Sequence, residues 1–310
     1  MRNIVVYLIS GPDHLPNLVV SLNSLRRHGW DGEVWVFAWK ESADIVKQIS
    51  EDRGLDIRVL LRRPQYRGKN AQFLDKIRVV GDMGICDRVL YLDADTLPVG
   101  NVRGLFDQAA ECSFLATQFN DWTTGAGGVV DKRIRKLLDY PEIPQYLIQE
   151  LLAERWTSVN GGVFVANPKS SILDDWEKWT NLCKETVFIA DEAVLHVVMA
   201  HHFNQGLSVS RGGVWNASPK FNKLPDCEVK LWHFHGDCNL RPAKSPKGVS
   251  IWWPEYMLCL NENVGKIEEW QGSIGGYFQK ALQYPDIMEE CKSDAEISQA
   301  DAAAGQTTAP

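Results

Sequence analysis

The sequence lacks the features that mark several large classes of protein. Its seven cysteines are scattered and form no Cys-x-x-Cys pair, which argues against a disulfide framework or a structural zinc site and is typical of a reducing compartment. No apolar run is long enough for a membrane span. The short apolar start over residues 4–9 stops at Gly11-Pro12, as a first strand does and a signal peptide does not. We therefore expect a cytoplasmic protein.

Positive charge is also scarce. Thirty-three Lys and Arg residues face 40 Asp and Glu residues, which gives a net charge of −7. This excludes a global basic field that would attract nucleic acid, and leaves only a local patch for that purpose. The chain has no internal repeat. With 310 residues, 45% of them hydrophobic, it is large enough for a substantial core.

What the chain does contain is a regular alternation of strand and helix patterns. β-Branched or aromatic runs predict strands, and apolar residues three or four apart predict helices. The predicted strands lie at 4–9, 33–39, 56–61, 88–92, 112–117, 161–167 and 228–236, and the predicted helices at 18–27, 42–53, 70–84, 101–107, 131–156 (broken by prolines), 170–184 and 190–202. This alternation favours right-handed βαβ units and hence an α/β fold with a mostly parallel, mixed sheet flanked by helices.

Asp93 and Asp95 directly follow the predicted strand at 88–92. In open α/β sheets, ligands bind beyond the carboxyl ends of the strands. Two carboxylates one residue apart are unfavourable unless a cation lies between them or one of them is protonated. The residues alone leave three interpretations open: a metal site, a nucleophilic aspartate and a solvated turn.

The strand followed by Asp-Ala-Asp-Thr-Leu resembles the signature of the haloacid-dehalogenase phosphohydrolases, in which Asp93 would be the nucleophile and Asp95 a general acid. That signature normally closes the first strand of its domain, whereas three predicted strands precede it here. The late acidic element of those enzymes is matched poorly at 236–240.

The ordered part of the chain more closely resembles glycosyltransferase family 8, the glycogenin and galactinol synthase type with a GT-A fold. The resemblance covers about residues 4–242. Its specific block is FLDKIRVVGDMGICDRVLYLDADTLPVGNVRGLFD, followed in order by VNGGVFVANP, ADEAVLHVV and LWHFHG. It implies retaining transfer of a sugar from a nucleotide-sugar donor, expected to be a UDP-sugar, with Mn²⁺ or Mg²⁺. A module that kept this fold but only binds the donor is a further alternative.

The resemblance implies that Asp93, Asp95 and His233 hold the divalent ion. Such an ion neutralises the negative charge that builds on a departing diphosphate. Two carboxylate oxygens with one imidazole nitrogen suit manganese better than calcium. We expect His235 to be hydrogen-bonded beside the site and not to be a ligand. A zinc site that uses Cys238 lacks a fourth ligand nearby and is rejected.

The resemblance also implies a set of donor contacts. Lys76 matches the family's lysine in the helix before the Asp-x-Asp strand, and Arg67 lies near its donor-binding arginine. Asn160 can bond sugar hydroxyls, and the glycine that follows it lets the backbone approach the sugar closely. The full expected set is Ser10, Arg67, Lys76, Asp93, Ala94, Asn160, Gly161, Gly236 and Arg241.

The chain departs from the family in two places. The family has Asp-Gln where this chain has Asp191-Glu192, and we expect these two residues to be catalytic. A glutamate under the anomeric carbon can act as a nucleophile or stabilise an oxocarbenium-like transition state. The family's phosphate-binding lysine is absent in register, and Arg241 lies two residues away in its place.

We expect three regions along the chain. These are a GT-A domain over 1–240, an irregular, aromatic cap over 241–290 that closes over the donor, and a disordered tail over 291–310. The acceptor stays open among glycan, protein, lipid and nucleic acid, and the acidic composition disfavours the last of these. The oligomeric state is open as well.

Overall fold

A computed structural model describes residues 1–53, 56–66, 71–235 and 246–261. The strands are β1 Asn3–Ile9, β2 Glu33–Ala38, β3 Arg58–Leu61, β4 Arg88–Leu92, β5 Thr96–Pro98, β6 Phe114–Thr123, β7 Thr157–Ala166, β8 Leu207–Ser210 and β9 Leu231–His233. The helices are α1 Leu15–Arg27, α2 Lys40–Arg53, α3 Ala71–Gly81, α4 Arg103–Gln108, α5 Val129–Arg135, α6 Gln145–Ala153, α7 Ser171–Cys183, α8 Ala190–His202 and α9 Pro246–Asn261.

Seven strands form one sheet in the order β3-β2-β1-β4-β7-β6-β8. Neighbouring strands are parallel except around β7, which runs antiparallel to both β4 and β6. The expected α/β fold with a mostly parallel, mixed sheet is therefore confirmed. Strand β4, which leads into Asp93 and Asp95, lies at the centre of this sheet, between β1 and β7.

The sheet is buried on both faces because helices cover it on each side, as expected for parallel strands rich in Val, Ile and Leu. Along β1, Ile4 and Val6 point into one core, which they share with α3, α7 and α8. Val5 and Tyr7 point into the other core, which they share with α1 and α4. Because successive side chains of a strand alternate between faces, one unbroken apolar run supplies both cores.

The expected strand at 228–236 is only partly correct. Just Leu231–His233 forms a strand, and it pairs with the unpredicted β5 and not with the main sheet. In this small antiparallel ladder Thr96 lies opposite His233. The pairing brings the end of the Asp93–Asp95 turn against a histidine that is remote in sequence.

The expected cap overlaps the described residues at 246–261, for which the irregular sequence pattern predicts no helix. This stretch is helix α9, although Pro254 lies inside it. Trp252 and Tyr256 are buried, stack at 4.7 Å between ring centroids, and join a third apolar cluster with Leu97 and Trp232. The remainder of the expected cap and the expected tail lie outside the described residues. Among the helices in the described ranges, none has the length and apolar character to cross a membrane.

Candidate active site

The turn after β4 brings Asp93, Asp95 and His233 together. The backbone N–H of Asp93 donates to the Gly162 carbonyl on β7 (2.8 Å), and the Thr96 hydroxyl donates to the Asp93 carbonyl (2.8 Å). Nε2 of His233 lies 3.4 Å from Oδ1 of Asp95 and 3.9 Å from Oδ2 of Asp93. One ligand atom from each of the three residues lies within 4.8 Å of the other two. The fold therefore brings two carboxylates and one imidazole together at the carboxyl end of β4.

Hydrogen bonds behind the cluster fix its orientation. Nδ1 of His233 bonds to Oδ1 of Asn216 (2.9 Å), whose Nδ2 donates to the Thr117 hydroxyl (2.8 Å). Because an amide oxygen can only accept, His233 donates through Nδ1, and its Nε2 faces the two carboxylates. The Tyr91 hydroxyl donates to Oδ1 of Asp93 (2.9 Å). This is the outer-shell arrangement that orients metal-ligating histidines and carboxylates in proteins.

The electrostatics of the cluster fit a divalent cation. Burial raises the pKa of Asp93 despite the nearby Lys76. Burial also opposes ionisation of Asp95, but His233 overcomes it and holds the Asp95 pKa at about 2. Two carboxylates held this close repel each other when both are ionised, and a bound cation relieves that repulsion. The oxygen and nitrogen donors present match the manganese-type ion that the resemblance implies.

Gly162 lies directly behind the cluster and has no room for a side chain. A Cβ atom there would come within 2.6 Å of Oδ2 of Asp93 and closer still to Cε1 of His233. The backbone of β7 can thus approach both side chains only because residue 162 is glycine.

Lys76 and Asp191 form a buried ion pair beside the cluster. Nζ of Lys76 lies 2.5 Å from Oδ2 of Asp191, and the two side chains are 5% and 1% exposed. Burial lowers the pKa of Lys76, but Asp191 and Asp93 outweigh it and raise that pKa overall. Oδ1 of Asp191 is buried without a hydrogen-bond partner in the described part of the chain. A buried carboxylate oxygen without a partner is costly, so it points to a ligand that donates to it.

Glu192 is paired differently. Its Oε2 accepts from Nη1 of Arg133 on α5 at 2.8 Å, and Arg133 also lies over the Phe188 ring at 5.4 Å. Burial raises the pKa of Glu192, although Arg133 opposes the shift. Asp191 and Glu192 are adjacent at the start of α8, so their side chains diverge by about 100°. Each therefore has its own cation.

The start of α8 has an unusual backbone conformation and is bonded to β7 through a histidine. The residue before the helix, Ile189, has φ 53° and ψ 56°, a left-handed conformation that is costly for a β-branched residue and that occurs mostly at functional sites. Nδ1 of the buried His196 donates to the Glu192 carbonyl (2.7 Å), while its Nε2 accepts from the Val159 N–H (3.2 Å). Burial lowers the pKa of His196 to about 4, so this bridge between α8 and β7 is neutral.

Two adjoining cavities meet at the Asp93–Asp95–His233 cluster. The smaller one, of about 280 Å³, is lined by Leu8, Ser10, His14, Gln72, Phe73, Lys76, Tyr91, Asp93, Ala94 and Asp95. The larger one, of about 490 Å³, shares Phe73, Lys76, Asp93 and Asp95 with it and extends to Asn160, Gly161, Asp191, Glu192 and His233. The second volume is within the range of roughly 300–1,000 Å³ that small-molecule sites occupy.

The expected site residues fall into two groups. Those that line the two cavities are Ser10, Lys76, Asp93, Ala94, Asp95, Asn160, Gly161, Asp191, Glu192 and His233. Arg67, Gly236 and Arg241 lie outside the described residues. Within the first group, Oδ1 of Asn160 is engaged by the Gly162 N–H (2.8 Å). His235 bonds to the Ser218 hydroxyl (3.0 Å), as expected of a neighbour of the cluster.

Sequence reasoning missed Arg133, Asn216, Tyr91 and His196. Arg133 and Asn216 are far along the chain from the residues they bond, and no local pattern marks them. Tyr91 was assigned only to its strand. His196 had a detectable signal, because it stands four residues after Glu192 and a helix places such residues on one face.

No family model matches the sequence, and no curated protein matches it. The fold is nevertheless similar to solved glycosyltransferase structures. The galactosyltransferase LgtC, in complex with donor and acceptor sugar analogues, aligns over 82% of this chain and 95% of its own, with TM-score 0.59 and 16% identity. Mouse xyloside xylosyltransferase 1 aligns over 76% and 99%, with TM-score 0.54 and 14% identity. The glycosyltransferase GlyE of Streptococcus pneumoniae aligns over 86% and 64%, with TM-score 0.56 and 17% identity. The chain thus has the fold of these glycosyltransferases.

Proposed function

We propose that this protein is a metal-dependent, retaining glycosyltransferase that moves a sugar from a nucleotide-sugar donor to an acceptor. The observation that carries the proposal is the Asp93–Asp95–His233 cluster, whose two carboxylates line both adjoining cavities and whose imidazole lines the larger one. Such a layout suits a nucleotide sugar, with its diphosphate at the cation and its two ends on either side. The fold shared with glycosyltransferases supports the same conclusion.

The smaller cavity suits the nucleotide. It lies beyond the carboxyl ends of β1 and β4, where α/β sheets bind such ligands. Asp93, Asp95 and His233 would hold Mn²⁺ or Mg²⁺, which when bound neutralises the charge on the leaving diphosphate. Ser10 and Ala94 line this cavity and would contact the nucleotide. Uracil is the base that the resemblance to family 8 implies.

The inner part of the larger cavity suits the transferred sugar. Asp191 lines this part, and one of its carboxylate oxygens has no partner among the described residues, while Lys76 neutralises the other. Such an oxygen accepts hydrogen bonds from sugar hydroxyls. Gly161 also lines this part of the cavity and exposes backbone to the sugar.

Glu192 would face the anomeric carbon. It lines the larger cavity and is 13% exposed, with Arg133 holding one oxygen. A carboxylate there stabilises the positive charge that develops as the glycosidic bond to the diphosphate breaks, an effect felt mainly in the transition state. Retention follows if the acceptor hydroxyl then attacks from the face that the diphosphate leaves.

The outer part of the larger cavity would receive the acceptor. Trp122, Val129 and Phe188 line it, and Phe188 is 65% exposed. Aromatic faces suit the apolar face of a sugar ring, and LgtC was crystallised with an acceptor sugar analogue. We therefore favour a glycan over protein, lipid or nucleic acid as the acceptor. The phosphohydrolase alternative has no support, because Asp93 follows the fourth strand of the chain and lies within the cluster.

The test is release of free nucleotide from a panel of nucleotide sugars, including UDP-glucose and UDP-galactose, with Mn²⁺ and without an acceptor. We expect slow release from at least one donor, which is abolished by EDTA and restored by Mn²⁺. Asp95→Asn should remove the activity, whereas the exposed Asp107→Asn should keep it, since Asp107 lies on α4 away from both cavities.

Three outcomes discriminate between the interpretations. Donor-dependent, metal-dependent release supports the transferase. Tight donor binding without release, either alone or with simple sugars as acceptors, would instead identify a binding module. Release of phosphate from phosphate monoesters with no effect of nucleotide sugars would favour the phosphohydrolase.

A further inference from the structure

A second cluster of ligand-type side chains lies at the opposite end of α8. It consists of Asp175 on α7 with His201 and His202 in the last turn of α8. One ligand atom from each of the three residues lies within 4.8 Å of the other two. The cluster is about 14 Å along the helix from Glu192, at 1.5 Å per residue, so it belongs to neither cavity described above.

The side chains converge although they come from two helices. Nε2 of His202 lies 2.8 Å from Oδ2 of Asp175. The His201 ring meets the His202 ring edge-on at 4.7 Å between centroids, and it also packs against Trp179 at 5.6 Å. Trp179 is buried and holds His201 toward its neighbour. Adjacent histidines on a helix normally diverge, so this packing accounts for their meeting.

We propose that Asp175, His201 and His202 form a second metal site, which binds Zn²⁺ or a similar borderline ion such as Ni²⁺ or Cu²⁺. Its donor set is two imidazole nitrogens and one carboxylate oxygen, which suits these ions better than manganese, magnesium or calcium. As in open zinc sites with three protein ligands, a water would fill the fourth position at this partly exposed place. The Asp93–Asp95–His233 cluster has the opposite balance, with one nitrogen and two carboxylates. The two sites should therefore prefer different metals.

Two further features favour a cation at this place. The site lies at the C-terminal end of α8, where the helix dipole attracts positive charge. The side chains of His202 and Asp175 are 12% and 30% exposed, so an ion can enter from solvent. Tetrahedral bonds of about 2.0–2.1 Å to zinc require ligand atoms closer than 4.8 Å, and small side-chain rotations at this partly exposed site supply that approach. A bound ion would tie α7 to α8.

The experiment is calorimetric titration of the full chain with Zn²⁺ alone at neutral pH, where free histidines are mostly deprotonated. We compare the wild type with Asp175→Asn, which keeps the shape of the side chain, and with His202→Ala. The controls are His28→Ala, because His28 also caps the end of a helix but belongs to no such cluster, and Asp95→Asn at the first cluster. Thermal unfolding without Zn²⁺ checks that each variant folds. Thermal unfolding with Zn²⁺ tests whether the ion stabilises the contact between α7 and α8.

We expect Asp175→Asn and His202→Ala to weaken one class of zinc sites by more than about tenfold, since even outer-shell changes cost that much. Both variants should also lose the rise in the protein's melting temperature that zinc binding at this site causes. His28→Ala and Asp95→Asn should keep both effects. Unchanged zinc affinity and stoichiometry in Asp175→Asn and His202→Ala would overturn the proposal. Loss of all zinc binding in Asp95→Asn would overturn it as well. The proposal is independent of the transferase activity.

Discussion

The replacement of Glu192 by glutamine tests the feature in which this chain departs most from the family it resembles. Glutamine keeps the size of the side chain and an oxygen that can accept from Arg133, now 2.8 Å from Glu192. It removes the negative charge. If Glu192 faces the anomeric carbon, donor affinity should stay within about threefold, because the carboxylate acts mainly on the transition state. Turnover should fall.

The expected size of the effect follows from the environment. Glu192 is 13% exposed, and Arg133 already compensates part of its charge. We therefore expect a loss of about 1.4 to 2.7 kcal/mol of transition-state stabilisation, which is 10- to 100-fold in turnover. Turnover of Glu192→Ala should fall further, because the Arg133 guanidinium then loses its partner as well. We expect that unpairing to reduce the free energy of unfolding by about 1.5 to 3 kcal/mol.

The assay is steady-state nucleotide release with the donor found active, together with donor affinity measured by calorimetry. Glu185→Gln is the matched control, because Glu185 lies just before the same helix but is 56% exposed. Full activity of both Glu192 variants would refute the catalytic assignment and leave Glu192 as a helix-start residue stabilised by the dipole. A glutamine variant that loses donor affinity and keeps turnover would also refute it.

Three further predictions follow from the buried contacts. Lys76→Ala leaves the Asp191 carboxylate buried without its cation, so the free energy of unfolding in urea should drop by about 3 to 5 kcal/mol; an unchanged value would show that the pair contributes nothing. Gly162→Ala drives a methyl group into Asp93 and His233, so Mn²⁺ affinity should fall at least tenfold, as followed by electron paramagnetic resonance. His196 has a pKa of about 4 in the folded state against 6.5 ordinarily. As the pH falls, the unfolded state is therefore protonated at this residue before the folded state is. Stability should therefore fall from pH 6.5 toward 4 by up to about 1.4 kcal/mol per pH unit from this residue. A His196→Gln variant with an equally steep decline would contradict this.

The main sheet could be predicted because its signal is local. β4 is a β-branched and aromatic run that ends in two acids, and βαβ logic places that end at the ligand-binding edge of a sheet. The position of Asp93 and Asp95 was thus available from the sequence alone.

The contacts that complete the site could not be predicted in this way. β5 and β9 are three residues each, too short for any periodic signal, yet their pairing is what brings His233 to Asp95. Arg133 is 59 residues from Glu192, so only the tertiary fold joins them. Helix α9 was not predicted, because the sequence from 241 onward is irregular and aromatic, and the helix contains Pro254, which a helix interior normally excludes.

The most direct test of the central claim is whether one ion links Asp95 to the nucleotide. Calorimetry should measure the affinity for UDP, with GDP and ADP for comparison, in the presence and absence of Mn²⁺. Both the wild type and Asp95→Asn are titrated, and Asp107→Asn serves as the control. We predict that Mn²⁺ strengthens nucleoside diphosphate binding in the wild type and in Asp107→Asn, and that Asp95→Asn loses this metal-dependent part while it stays folded at the assay temperature. An unchanged, Mn²⁺-dependent affinity in Asp95→Asn would contradict the account.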